Sequence, residues 1–154
     1  MHLPRGVTGF RAGKKAPPLP QMDLPRFRGH CYTAARAVAG TVLGFEPPYN
    51  FTNNFAVGTL DLQPGPVAVL LNAHFPFVGF AVPPAVGELK LRFVDVPELV
   101  AVFRGFGVYE VLDREATEQP LTPEAVAELA RAERAQFGYW RPTRVGDVVF
   151  NSWD

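Results

Sequence analysis

Residues 55–73 read FAVGTLDLQPGPVAVLLNA, two apolar runs, Phe55 to Leu62 and Val67 to Ala73, joined by Gln63-Pro64-Gly65-Pro66. Proline followed by glycine at the central positions is what a type II turn demands, so the runs are expected to fold as a hairpin. The second run, Val67-Ala68-Val69-Leu70-Leu71, is apolar on both faces, and a strand covered on both sides lies in the middle of its sheet. Downstream, Phe77 to Val82 reads as the next strand. Leu89, Leu91 and Phe93 alternate with Lys90 and Arg92, which predicts a further, half-buried one. Upstream, Gly44 to Asn54 carries Pro47-Pro48 and three asparagines and reads as a long polar and aromatic loop. Before that loop, Asp23 is placed to cap a helix with Pro25 in its first turn. Leu24, Phe27, Cys31, Ala34, Val38 and Val42 recur at helical spacing, predicting a helix over about 24–40, with Arg28, Tyr32 and Arg36 on the opposite face.

Beyond the hairpin region, Asp95 and Glu98 form a capping-box-like start to a short helix with Val96, Leu99, Val100 and Phe103 inward. A strand is expected over about 107–112. Thr122-Pro123-Glu124 is a helix start whose inward face is Val126, Leu129, Ala130 and Phe137. Asp147 to Trp153 reads as a final strand. The expected fold class is α+β, an antiparallel sheet of about five to six strands in a meander with about three helices packed on it. Residues 1–22, with Pro4, Pro17, Pro18, Pro20, Gly6, Gly9 and Gly13, are expected to be an irregular basic arm pinned by Leu3, Phe10 and Leu19, and residues 23–154 a single domain.

A chain of 154 residues that is 47% hydrophobic and 19% charged has enough apolar surface for one compact core, which excludes a wholly disordered chain. Cys31 is the one cysteine, so no intramolecular disulfide forms and a reducing compartment is expected. The residues after Met1 lack the basic-then-apolar pattern of a secretory signal, which makes a cytoplasmic protein without membrane attachment the expectation. Asn50-Phe51-Thr52 is then a chance sequon. Preference for Arg over Lys with abundant Ala, Val, Pro and Gly is the bias of a GC-rich bacterial genome.

Net charge is zero, yet its distribution is uneven. Residues 1–36 hold seven Lys and Arg against Asp23 alone, a net +6, whereas residues 95–133 hold nine carboxylates against Arg104, Arg114 and Arg131, a net −6. Such a dipole either folds its basic arm onto its own acidic half, remains a pair of solvated faces, or docks a partner of opposite sign.

Chemistry-bearing patterns are sparse. His2, His30 and His74 are far apart and neither H-E-x-x-H nor C-x-x-C occurs, so no zinc site and no cofactor are expected. No phosphate-cradling glycine loop is present. Cys31 lies on the apolar stripe of its helix, where a cysteine acts as a small hydrophobe, and neighbouring His30 points about 100° away. Asn72 and His74 follow a buried apolar run at a strand end, where loops place functional groups, and are the candidate lining of a ligand pocket. A histidine there equally serves to satisfy loop backbone groups. Arg104-Gly105-Phe106-Gly107-Val108-Tyr109-Glu110-Val111 begins like the RNA-recognition octamer, but valines stand at two of its aromatic positions and the surroundings are acidic, which disfavours nucleic acid.

The most distinctive stretch is Tyr139-Trp140-Arg141-Pro142 running to Gly146-Asp147-Val148-Val149-Phe150-Asn151-Ser152-Trp153-Asp154. Aromatic residues this dense beside a chain end are expected to pack. The stretch resembles the ending of small bacterial proteins, some of which resemble immunity partners of contact-dependent or polymorphic toxins. The resemblance implies a non-enzymatic, toxin-neutralising module that plugs a toxin's active site. On charge, the expected partner is a basic protein surface met by Glu110, Asp113, Glu115 and Glu118, with Tyr49 and Phe51 of the long loop as anchors. The alternatives are a small-molecule-binding or hydrolytic domain with its pocket at Asn72 and His74, and an RNA-binding domain.

Overall fold

A computed structural model describes residues 1–11, 13, 15–48, 53–85, 88 and 90–153. Helix α1, Leu24–Ala37, starts as its sequence demands: the Asp23 side chain accepts the Arg26 N–H at 3.0 Å and Pro25 occupies the first turn. Its buried residues, Phe27, Cys31, Ala34 and Ala35, keep the i, i+4, i+7 spacing of one face. The chain then turns through Ala39 at positive φ into β1, Thr41–Glu46, followed by β2, Phe55–Asp61, β3, Pro66–Asn72, and β4, Phe77–Ala81. Helix α2, Pro97–Gly105, leads to β5, Glu110–Val111, and then come the short helices α3, Arg114–Glu118, α4, Arg131–Ala135, α5, Phe137–Trp140, and α6, Val145–Val149.

The five strands form one open sheet in sequence order. Strands β1 to β4 pair antiparallel, as a meander does, but β5 joins β4 in parallel because α2 crosses over between them. The α+β class holds, with a mixed and mostly antiparallel sheet. Strand β3 is buried from Ala68 to Asn72 and β4 throughout, which is the central position its unbroken apolar run predicts. Alternate residues feed two cores. Val69 and Leu71 face Phe27, Leu99 and Phe103 of α1 and α2, whereas Leu70 faces Leu3 and Val7 of the arm, Val148 and Val149 of α6, and Trp153. Leu3 and Val7 are fully buried, so the irregular arm is part of the second core.

Several local expectations give way to tertiary structure. Thr41–Glu46 is a strand where a loop was expected from Gly44 onward. Val42 pairs with Leu60 and Gly44 with Thr59, leaving exposed Leu43 as a bulge that brings Val42 and Phe45 to the α1 side and hides the period of two. The β2–β3 hairpin forms, but Gly65 has no positive φ and so the turn is not type II; Leu62 N–H donates to the Gly65 carbonyl instead. Residues 91–93 make one antiparallel bridge, Ala81 to Phe93, and not a strand; Leu89 lies outside the described residues. The edge of β4 is divided, with β5 along Phe77 and Val78 and the 92–94 segment along Phe80 and Ala81. Helix α2 starts without the Asp95 cap, at Val96.

The long helix expected from Thr122 is broken. Thr122 does accept the Ala125 N–H, but the Ala125 carbonyl is taken by Leu3 N–H at 2.9 Å and Ala130 N–H by the Glu133 carboxylate. Both groups would otherwise serve the helix ladder. The valine run at 145–149 is helical, not a strand, with Asp147 accepting the backbone N–H groups of Thr143 and Arg144 at its start. Among the described residues no helix is long and apolar enough to cross a membrane.

Candidate functional site

The N-terminal arm lies over the end of β3 and encloses a cleft of about 830 Å3. The arm is held there by Glu133, which is fully buried. One carboxylate oxygen accepts Gly6 N–H at 2.8 Å and Ala130 N–H at 3.0 Å; the other accepts Thr8 N–H at 3.0 Å and the Thr8 hydroxyl. Four donors saturate the carboxylate, and none of the ion pairs among the described residues includes it.

A second buried network ties the arm to the sheet and the chain end. Asn54 and Asn72 each donate to the carbonyls of Val7 and Val149, Asn151 donates to those of Thr8 and Val148, and Asn151 N–H donates back to Asn54 Oδ1. Asn72 Oδ1 also accepts the backbone N–H groups of His74 and Phe75, fixing the turn that carries His74. Asn72, expected to line a pocket, is thus fully buried and structural. Asn54 and Asn151 carry no catalytic pattern in sequence, and only their reach to the arm and α6, Asn54 to Val7 and Val149 and Asn151 to Thr8 and Val148, reveals them.

His74 does line the cleft. Its Nδ1 lies 2.8 Å from the Pro20 carbonyl, which only accepts, so Nδ1 carries the proton and Nε2 is left with its lone pair in the neutral ring. Nε2 faces the arm at Gly9, whose φ of 87° favours glycine and where a Cβ would stand 3.6 Å from that nitrogen. Phe10, Leu19, Met22, Leu24, Pro48 and Trp153 make the walls largely apolar, and Arg11 supplies a guanidinium, with one of its N–H groups on the Ala16 carbonyl.

The acidic residues are arranged differently. Asp113 caps α3 through the Ala116 N–H and lies 3.8 Å from Arg104; Glu118 pairs with Arg144 at 3.1 Å. Glu110 and Glu115 are exposed. Tyr49 and Phe51 lie outside the described residues. Phe106 and Tyr109 of the RNA-motif-like octamer are turned to α1, where His30 stacks on Phe106 at 4.1 Å and meets the Tyr109 hydroxyl at 2.5 Å. Burial, with the nearby Arg26 charge, lowers the His30 pKa. Burial pushes the Cys31 thiol up to about 12, so it is protonated and not a nucleophile at neutral pH. Among the described residues no group of three or more His, Cys, Asp or Glu is arranged to hold a metal ion.

Comparison of the chain with protein-family models, with curated proteins and with solved structures returned no match.

Proposed function

We propose that the chain is a small-molecule-binding domain whose ligand lies in the cleft between the arm and His74. The observation that carries this reading is the His74 ring, oriented through Nδ1 by Pro20 and presenting Nε2 inside a largely apolar cleft of about 830 Å3. The chemistry of the lining selects a small carboxylate with an aliphatic body and a hydroxyl: the carboxylate pairs with Arg11, the body lies along Leu19, Met22 and Pro48, and the hydroxyl donates to Nε2. Binding without turnover fits the lining, because Thr8, its one hydroxyl among the described residues, is engaged by Glu133.

The test is calorimetric titration with 6-hydroxyhexanoate, hexanoate and 6-hydroxyhexanamide. The hydroxy acid is expected to bind at least about tenfold more tightly than the amide, which loses a charge-assisted hydrogen bond of about 1.5–3 kcal/mol, and about fivefold more tightly than hexanoate, which loses a neutral one of about 1 kcal/mol. Arg11→Ala is expected to erase the preference for acid over amide and His74→Ala the preference for the hydroxyl. Equal binding of all three, or none at millimolar concentration, refutes the reading.

A second reading, an immunity-type module that captures a basic protein, is favoured by Glu110 and Glu115, which are exposed and outside the ion pairs among the described residues. It requires a basic protein that co-purifies stoichiometrically at low salt with the wild type and is lost with Glu110→Lys/Glu115→Lys.

A further inference from the structure

A second cleft, of about 270 Å3, shares Asn151 and Trp153 with the first and is otherwise built from the distinctive C-terminal stretch with Lys90 and Leu91. Its form follows from the end of α5. Arg141 adopts left-handed φ and ψ of 50° and 56°, its N–H closes the turn on the Phe137 carbonyl at 2.9 Å, and Pro142 prevents the helix from continuing. The turn sets the Trp140 indole nearly parallel to that of Trp153, 8° between planes at a centroid separation of 6.4 Å. Tyr139, 78% exposed, stands edge-on to Trp140 at 4.8 Å.

Among the described residues the charge of this cleft is one-sided. Lys90 and Arg141 are exposed, and neither has a carboxylate within ion-pair distance among the described residues. The lining holds one described carboxylate, Asp147, and that group is already compensated: Arg144 donates to it at 2.6 and 3.1 Å, and the backbone N–H groups of Thr143 and Arg144 at 3.1 and 3.0 Å. Burial alone raises the Asp147 pKa, but the Arg144 guanidinium and these N–H groups outweigh it and hold the carboxyl below its ordinary value. Among the described residues two cations, Lys90 and Arg141, therefore remain in a lining that also holds the Trp140 and Trp153 indoles and the Thr143 and Ser152 hydroxyls.

We propose that this cleft is a second binding site, for a single aromatic ring bearing an anionic group, with the ring on the Trp140 indole and the anion at Lys90 and Arg141. The Trp140 indole, half-buried and backed by the buried Trp153, offers a π-face on which a planar ring stacks, and the Lys90 ammonium and Arg141 guanidinium favour a phosphate or carboxylate over a neutral substituent. The volume suits one ring and its substituent.

Phenyl phosphate, phenol and inorganic phosphate, each titrated calorimetrically into the full chain at low salt, test the assignment. Phenyl phosphate is expected to bind one-to-one, at least tenfold more tightly than phenol or phosphate alone, and to quench tryptophan fluorescence. Lys90→Ala/Arg141→Asn, in which Asn tolerates the left-handed backbone, is expected to weaken it about tenfold or more while His74→Ala leaves it unchanged. Phenyl phosphate binding no better than its two parts, or unaffected by the double substitution, overturns the proposal. So does loss of binding in His74→Ala with retention in the double variant, which would place the probe in the arm cleft.

Discussion

Glu133→Ala is the substitution that separates an arm clasped to the core from an arm merely lying on it. Truncation leaves Gly6 N–H, Thr8 N–H, the Thr8 hydroxyl and Ala130 N–H without their acceptor in a site with no solvent exposure. One stranded buried donor costs about 1–3 kcal/mol, and water entering the vacated volume recovers part of the total, so the expected loss is about 3–5 kcal/mol. At about 2–4 °C per kcal/mol for a chain of this size, the midpoint of thermal unfolding falls by roughly 6–20 °C. Glu133→Gln is the finer probe. Its NH2 replaces an oxygen that accepted two donors; the Thr8 hydroxyl can rotate to accept, but a backbone N–H cannot, so about 1–3 kcal/mol is expected wherever the amide settles. Urea unfolding measures the stability, and amide hydrogen exchange shows where it is lost. The amides of Gly6 and Thr8 are expected to lose protection in both variants while those of β3 keep theirs in Glu133→Gln. A Glu133→Ala midpoint within 2 °C of the wild type, or unchanged exchange at Gly6 and Thr8, refutes the clasp.

Three further outcomes follow from local geometry. Cys31 is expected to resist thiol reagents in the native state at pH 8 and to react once unfolded. Because burial raises its pKa from 9.0 to about 12, the folded state retains its proton while the unfolded chain ionises, so this contribution to stability is constant below pH 9 and declines as pH rises toward 12. Asp147→Asn weakens the bonds from Arg144 and is expected to cost about 1–3 kcal/mol at neutral pH. The depressed Asp147 pKa means that the advantage is present above the ordinary carboxylate range and lost as pH falls, so wild type and Asp147→Asn should converge in acid denaturation. Gly58→Ala places a Cβ 2.6 Å from Cys31 Sγ and is expected to cost about 1–3 kcal/mol; urea titration of Gly58→Ala/Cys31→Ala should show most of that restored.

Helix α1, the β2–β3 hairpin and β4 were legible because their signals are local. A capping aspartate with proline behind it, a helical apolar stripe and an unbroken apolar run each bias a few neighbouring residues, and the cores endorse that bias. That His74 would stand at a cleft was legible for a similar reason: a polar turn after a buried strand leaves its side chains at the surface of the sheet's end. Strand β1 was not, since one bulged residue, Leu43, changes its period. The 122–137 segment was misread because its signals are those of a helix, and the competing partners, Leu3 N–H and the Glu133 carboxylate with its grip on Gly6 and Thr8, come from contacts more than a hundred residues apart. Glu133 itself counted as one more surface carboxylate in an acidic stretch, and nothing near it in sequence sets it apart.

By itself the order of residues determined the α+β class, the central hairpin and the first helix, because these depend on composition and on spacing within one or two turns of chain. Only the tertiary structure decided that β5 runs parallel to β4, that the arm belongs to the core, and that Asn54, Asn72 and Asn151 tie the backbone of the arm to that of α6. The physical reason is that a backbone N–H or carbonyl accepts any partner of suitable geometry, and which partner arrives is settled by the packing of distant segments, which local propensity does not encode.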